Sequence, residues 1–385
     1  MSDMSEAEAV APAATATSKL QPILLLGSYG RGNIGDDAFL AAALRHFPED
    51  TPFYLNSAHD ELLPKIAQGR VQTISTEDNR DLKKKIRAFR DIKHVVYCGG
   101  DLWVELYGDR FPRQSLYKML GMNLIARLTG KKVHYLGCGI GNLHGYSLQL
   151  ARASARLANT IIVREPRSAK VLGLRKTIVL PDLVSSLDWP AKSVTRTPGK
   201  PFTIGISILY HLPNPEQTFR QLLETLHDFV AGLPADQFRI VLFPMLISPS
   251  DPKDDLWASR QLQMALEGVC QDVTISPARE LDDFVQELSS VDLMIGARLH
   301  ANILAMLTGT PCLGIAYRPK VMSFFAANKL KDYCIDLSRL NAQNLSELFW
   351  IMHDAYSHVA SQVHAARDRS IEEGAAYQTF IARHF

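Results

Sequence analysis

The sequence predicts an α/β fold of two Rossmann-like domains facing each other across a cleft. Three observations predict it. Short, wholly apolar runs recur along the chain, and most end in glycine or proline. Stretches with apolar residues at helical spacing separate them. A proline-rich break then divides the series into two halves of similar size. Uniform apolar runs of four or five residues suit strands covered on both faces, and their alternation with helices is the doubly wound pattern.

In the first half, strands are expected at Ile23 to Leu26, Val95 to Tyr97, Val133 to Leu136, Ile161 to Val163 and Thr177 to Leu180. Helices are expected at Ala38 to Phe47 and Leu116 to Leu128. Trp189 to Pro201 holds three prolines and few large apolar residues, which marks a linker at 191–201. In the second half, strands are expected at Phe202 to Ile208, Phe238 to Met245, Val273 to Ile275, Val291 to Gly296 and Cys312 to Ala316. Helices are expected at Phe219 to Leu233, Leu281 to Ser289 and Asn302 to Thr308. The domains are therefore drawn as 20–190 and 202–344, followed by helices over 345–385. Residues 1–19, rich in Ala, Ser, Thr and Glu, read as a disordered tail with no signal-peptide core.

Composition narrows the function. The chain has 385 residues, 46% hydrophobic and 21% charged, which excludes a fibrous or wholly disordered protein. Forty-two Lys and Arg against forty Asp and Glu leave a net charge of +2, which disfavours a nucleic-acid binder and leaves room for a local cationic pocket. The five cysteines are odd in number and widely spaced, so reduced thiols are expected, with no disulfide framework and no zinc site. No metal ligand set and no cofactor fingerprint appears: Gly27 to Gly32 does not match the dinucleotide spacing. No apolar run reaches the roughly 18 residues of a membrane span, and a cytoplasmic location is expected. The oligomeric state is not fixed by the sequence.

Ligands in doubly wound sheets bind beyond the carboxyl ends of strands, so the residues there are the candidates. Gly30 to Asp37 follows the first strand. It is either a Gly-rich ligand loop or a plain turn in which Asp36 or Asp37 caps the helix. Arg164 stands at the mouth of a buried strand, where it can fork onto a carboxylate or phosphate or pair with Glu165. Arg298 and His300, two apart after another strand, can share one face as an anion holder and a proton carrier. Lys320 follows the strand ending at Ala316 and could meet a phosphate. His144, on a loop, could lie beside a substrate hydroxyl. The basic run Lys83 to Arg90 is read first as a solvated helix face, with peripheral contact at an anionic membrane surface as its alternative.

Taken in order, Gly32-Asn33-Ile34-Gly35-Asp36, Gly99-Gly100-Asp101-Leu102, Gly137-Cys138-Gly139-Ile140-Gly141, Val163 to Ser168, Arg298-Leu299-His300-Ala301, Gly309-Thr310-Pro311 and Tyr317 with Lys320 form a series that resembles the polysaccharide pyruvyl transferase family over roughly residues 23–325. The resemblance implies a glycosyltransferase-B-like pair of Rossmann-like domains. It implies phosphoenolpyruvate as donor and a saccharide hydroxyl pair as acceptor, lipid-linked or free, giving a pyruvate ketal on a cell-surface polysaccharide or its precursor. It places Arg164, Arg298 and His300 where the donor is held, with Lys320 at a basic position nearby; His300 is the expected proton-transfer residue because an imidazole titrates near working pH. Gly32, Asn33, Gly35, Asp36 and Asp101 then face the acceptor. Three positions depart from the pattern: Cys98 where the family often has glycine, Asn142 where it often has proline, and Glu165 where it commonly has aspartate. Two other readings stand beside this one. A nucleotide-sugar glycosyltransferase would need an acid on the ribose, for which Glu280 and Glu287 are available. A non-catalytic partner in polysaccharide assembly would need no donor site.

Overall fold

Two fully parallel sheets organise the chain, each with helices on both faces. A computed structural model describes residues 21–75, 82–104, 113–196, 199–234 and 236–385. The tail expected at 1–19 lies outside these residues.

The first sheet holds β1 (Ile23–Tyr29), β2 (Phe53–Ser57), β3 (Val71–Ser75), β4 (His94–Cys98), β5 (Asp101–Trp103), β6 (Lys132–Ile140), β7 (Thr160–Val163) and β8 (Thr177–Val179). Their order is β3-β2-β1-β4-β6-β7-β8, with the short β5 pairing the end of β6. The helices around it are α1 (Ile34–His46), α2 (Leu82–Asp91), α3 (Gln114–Leu128), α4 (Gly145–Leu157) and α5 (Pro166–Leu172). The second sheet holds β9 (Phe202–Ser207), β10 (Phe238–Leu242), β11 (Val273–Ile275), β12 (Leu293–Gly296), β13 (Cys312–Ala316) and β14 (Cys334–Asp336), ordered β11-β10-β9-β12-β13-β14. Its helices are α6 (Pro215–Ala231), α7 (Asp255–Ala265), α8 (Leu281–Leu288), α9 (Leu299–Leu307) and α10 (Pro319–Ala327). The chain closes with α11 (Ala342–Asp354), α12 (Tyr356–Gly374) and α13 (Ala376–His384).

The expected strands all form, with ends shifted by a few residues. Several elements escaped the pattern. β2 reads FYLNS, with burial alternating along it, and β3 reads VQTIS, with only two aliphatic residues, so both lack the uniform apolar run of central strands. Helix α1 starts at Ile34, earlier than Ala38. Its cap is Asn33 and not Asp36 or Asp37: the Asn33 carboxamide oxygen accepts the Gly35 amide at 3.0 Å. Asp36 and Asp37 fall in the first turn, where the helix dipole favours them.

The buried Ala- and Leu-rich body of α1 explains how the halves meet. It is apolar on nearly every side, so it must be enclosed. One face packs on the first sheet and the other meets α8 and α9 of the second half in one continuous apolar cluster. Backbone bonds stitch the same junction. Asn33 forms an isolated antiparallel bridge with Leu246, the Ile247 amide donates to the Gly32 carbonyl at 2.9 Å, and the Ile34 amide donates to Met245 at 2.9 Å. Gly32 has a φ of 70°, and a Cβ there would collide with the Ile247 carbonyl, so this seam requires glycine.

The closing helices return to the first half. Ser370 on α12 donates to Ser185 at 2.8 Å, Arg367 pairs with Asp188 at 2.7 Å, and Tyr377 on α13 donates to the Pro181 carbonyl at 2.9 Å. Phe385 then stacks among Phe47, His94 and His134 at ring distances of 4.6–5.0 Å. Cys98, Cys138 and Cys312 are free, buried thiols.

The His94–His134 pair (Nδ1 to Nε2, 3.2 Å) sits where charge is disfavoured. Burial, with Lys132 and Lys93 beside it, pulls His94 down to about 4; burial, with His94 and His384 beside it, pulls His134 down to about 3. A histidine lowered in the folded state leaves stability intact above its unfolded value near 6.5 and removes it as pH falls toward 4. The thermal midpoint of the wild-type chain, followed by circular dichroism, therefore drops between pH 6.5 and pH 4.5, and His94→Asn makes that drop smaller. An equal drop in both proteins would rule the pair out as its source.

Candidate active site at the junction of the two sheets

The site forms where strand ends of both sheets converge on the α1 N-terminus. Arg164 follows β7 directly and is buried, at 8% exposure. It cannot stay there unpaired, and two carboxylates meet it. Its Nη2 lies 2.7 Å from Asp101 Oδ1 on β5, and its Nη1 lies 3.2 Å from Asp182 Oδ2. Gly139 on β6 makes room for this contact, since a Cβ there would lie 2.5 Å from Asp101 and 2.8 Å from Arg164. Glu165 does not neutralise Arg164 through a direct ion pair; its Oε1 accepts from Ser168 at 2.8 Å in the first turn of α5.

The second half contributes three groups. Lys320, in the first turn of α10, reaches across to Asp101 Oδ2 at 3.1 Å. Arg298 precedes α9 and forks onto Asp255 of α7, with Nε at 2.9 Å and Nη2 at 2.5 Å. Asp255 is fixed in turn by the Met245 and Leu246 amides at 3.2 and 3.0 Å. His300, in the first turn of α9, packs edge-on against Phe39 with ring centroids 5.0 Å apart. Its Nε2 lies 4.0 Å from Asp182 Oδ2 and has no hydrogen-bond partner among the described residues. Its Nδ1 side lies over Gly35, where any Cβ would strike the ring. Arg298 and His300 thus share a neighbourhood, though not on the extended turn expected from their spacing, because the helix begins between them at Leu299.

The electrostatics follow from burial and from these neighbours. Burial alone would raise Asp101, but Lys320 and Arg164 overcome it and hold the carboxyl well below the usual range. Burial raises Asp36 to about 6, although Lys320, Arg31, Arg298 and Arg164 all pull the other way. His300 is driven well below 6.5, first by burial and then by Arg164 and Lys320. The imidazole expected to titrate near working pH is therefore neutral. Burial disfavours the charged form first, and a fourth positive charge is unwelcome beside Arg164, Lys320 and Arg298.

Not every expected residue joins this cluster. Gly32, Asn33, Gly35 and Asp36 lie at its α1 edge, but the Asn33 side chain is committed to capping. Asp101 is placed as the partner of two cations. His144 is exposed at the start of α4 and makes no described contact with the cluster. Glu280 accepts the Lys65 amide at 3.2 Å and Glu287 accepts from Ser276 at 2.5 Å, so both acids considered for a ribose are already engaged. Sequence reasoning passed over Asp182 and Asp255. Asp182 had a signal, since it ends the expected strand at Thr177 to Leu180, whereas Asp255 had none. A cleft of about 240 Å³ opens beside the cluster, lined by Arg164, Asp182 and Lys320, with Arg369 and Glu373 of α12 on its wall.

Two Rossmann-like halves with charged strand ends meeting at their junction have the GT-B arrangement. Solved structures agree on the fold. The chain superposes on Anabaena Alr3699/HepE in complex with UDP with a TM-score of 0.63 at 12% identity, covering 94% of this chain and 99% of that one. For the UDP-GlcNAc 2-epimerase from Neisseria meningitidis bound to UDP-GlcNAc the TM-score is 0.61 at 14% identity, covering 94% and 100%. For MurG from Acinetobacter baumannii it is 0.57 at 14% identity, covering 94% and 99%. No curated protein sequence matches. The polysaccharide pyruvyl transferase family matches residues 33–319, and the chain belongs to that family.

Removing one carboxylate tests the ion-pair scheme. Asp101→Asn leaves Arg164 and Lys320 short of a partner in a buried place, and it lowers stability by about 3 kcal/mol in denaturant unfolding. A loss under about 0.5 kcal/mol, the range of ordinary surface changes, would show that Asp101 does not hold them.

Proposed function

We propose that the protein transfers the pyruvyl group of phosphoenolpyruvate onto two hydroxyls of a saccharide, leaving a pyruvate ketal. The observation that carries this reading is the meeting of Arg164, Lys320 and His300 on one pair of carboxylates, Asp101 and Asp182, at the junction of the halves.

Phosphoenolpyruvate is small and carries up to three negative charges, so a site that strips its water must supply several matched donors. Lys320 retains donors beyond its bond to Asp101, and Nη1 of Arg298 carries no bond to Asp255. The cations are held by carboxylates beforehand, so they are oriented before the donor arrives. This differs from a bare cationic pocket and fits a chain of net charge +2.

The proton balance runs through His300. The incoming anion offsets the cations that suppress the imidazole, and its proton affinity rises toward the working range. The imidazolium then protonates C3 of the enol. C2 becomes electrophilic and a saccharide hydroxyl attacks it. The second hydroxyl closes the ring at C2 as phosphate departs. One hydroxyl proton returns to the imidazole, and the other leaves with the phosphate. Asp36, beside Gly35 and raised to about 6, is placed to accept a hydrogen bond from an acceptor hydroxyl. A lipid-linked saccharide and a free one are both compatible with this chemistry.

Three measurements test the reading. Thermal shift separates donors: phosphoenolpyruvate raises the melting temperature and UDP does not, whereas the reverse result would make the protein a nucleotide-sugar enzyme. His300→Ala lowers pyruvate incorporation by about 10² or more, and a loss under about tenfold removes the residue from the chemistry. Arg164→Lys keeps the charge but loses the two-pronged grip on Asp101 and Asp182. It raises the apparent donor requirement by about tenfold or more, and unchanged donor affinity would refute the role given to its geometry.

A further inference from the structure

The outer layer of the first half carries a charge the chain as a whole conceals. Residues 82–176 hold nineteen Lys and Arg against five Asp and Glu, a net charge of +14, in a chain whose total is +2. Of those five acids, Asp101 is bound within the site and Glu165 is buried. Asp91 is half-buried beside Arg87 and Arg90, at 4.0 and 3.6 Å, while those two arginines are each 79% exposed. Glu105, Asp109 and, among the cations, Arg110 lie outside the described residues, and Arg164 is bound within the site.

The same layer exposes apolar surface in a pattern. On α3, Tyr117, Leu124, Ile125 and Leu128 are 50%, 47%, 52% and 78% exposed. Their spacing of seven, eight and eleven residues from Tyr117 puts them on one stripe, about 16 Å long. Gly121 falls on that stripe and faces open space. Helix α3 has no acidic residue, and Lys118 and Arg127 flank the stripe. Neighbouring helices extend it. Lys131, just past α3, donates to the Ile92 carbonyl at 2.9 Å and so holds the end of α2 alongside, where Ile86 is 61% exposed. On the other side α4 packs against α3 and presents Tyr146 at 56% exposure, 6.5 Å from Tyr117.

We infer that the α2–α3–α4 face docks on an anionic lipid surface, with the α3 stripe entering the headgroup layer and the surrounding Lys and Arg meeting lipid phosphates. A contiguous apolar stripe ringed by one sign of charge is what such a surface selects. Nucleic acid would match the charge, but it would leave Leu124, Ile125 and Leu128 in water. The face runs along the helices, and α3 and α4 begin at the carboxyl ends of the strands. The basic run at 83–90, read first as a solvated face, becomes one part of a larger docking surface.

Co-sedimentation of the full chain with vesicles tests this without reference to the transfer reaction, so its outcome is independent of the donor. The chain pellets with phosphatidylcholine vesicles containing phosphatidylglycerol, pellets little with phosphatidylcholine alone, and is released by salt. Ile125→Asp with Leu128→Asp, both at exposed positions, lowers binding by about tenfold or more while the circular dichroism spectrum stays unchanged. Arg87→Glu with Arg90→Glu lowers binding to the anionic vesicles and leaves the residual binding to neutral ones unaltered. No binding to anionic vesicles, or binding indifferent to the α3 pair, overturns the inference. So does capture of DNA in place of vesicles, or a dimer by light scattering that the α3 pair turns into a monomer without changing lipid binding.

Discussion

A buried guanidinium is the constraint from which the site follows. Arg164 sits at the end of a strand covered on both faces, where an unpaired charge would cost several kcal/mol. Asp101, at the start of β5, and Asp182, just past β8, meet that cost from two separate parts of the chain. Each of them then touches a group from the other half: Asp101 meets Lys320, and Asp182 lies beside His300. One buried charge thereby fixes the approach of two domains as well as the arrangement of one side chain.

The same network sets the chemistry of the histidine. In isolation an imidazole is poised between its two forms near neutrality. Here burial and neighbouring cations remove that balance and keep it neutral. Its protonation is therefore a property of the cluster and not of the imidazole by itself.

The fold was legible because parallel strands buried on both faces announce themselves as apolar runs. β1, β4, β6 and β7 in the first sheet and β9, β12 and β13 in the second are of this kind. β2 and β3, nearer the edge, carry no uniform apolar run and were missed. The cations and the histidine were legible because they directly follow such runs. Their anionic partners were harder to see. Asp182 lies at a strand end, but Asp255 begins a helix after an irregular stretch and reaches Arg298 only through the tertiary fold. Pairing is a property of three dimensions, and nothing near Asp255 in the sequence points to residue 298. The enclosure of α1 was half legible: its all-round apolar body requires a cover, but the sequence does not say that α8 and α9 provide it.

The backbone seam between Gly32–Ile34 and Met245–Ile247 bears on motion. It ties the two halves together at the loop leading into α1, where Gly35 lies against the ring of His300. A rotation that separates the halves pivots there, because those amide bonds resist being pulled apart. The imidazole then stays near the axle while Lys320, borne on a different helix, travels with its half and lets go of Asp101. Such an opening would unlatch one cation and leave the imidazole of His300 beside Gly35.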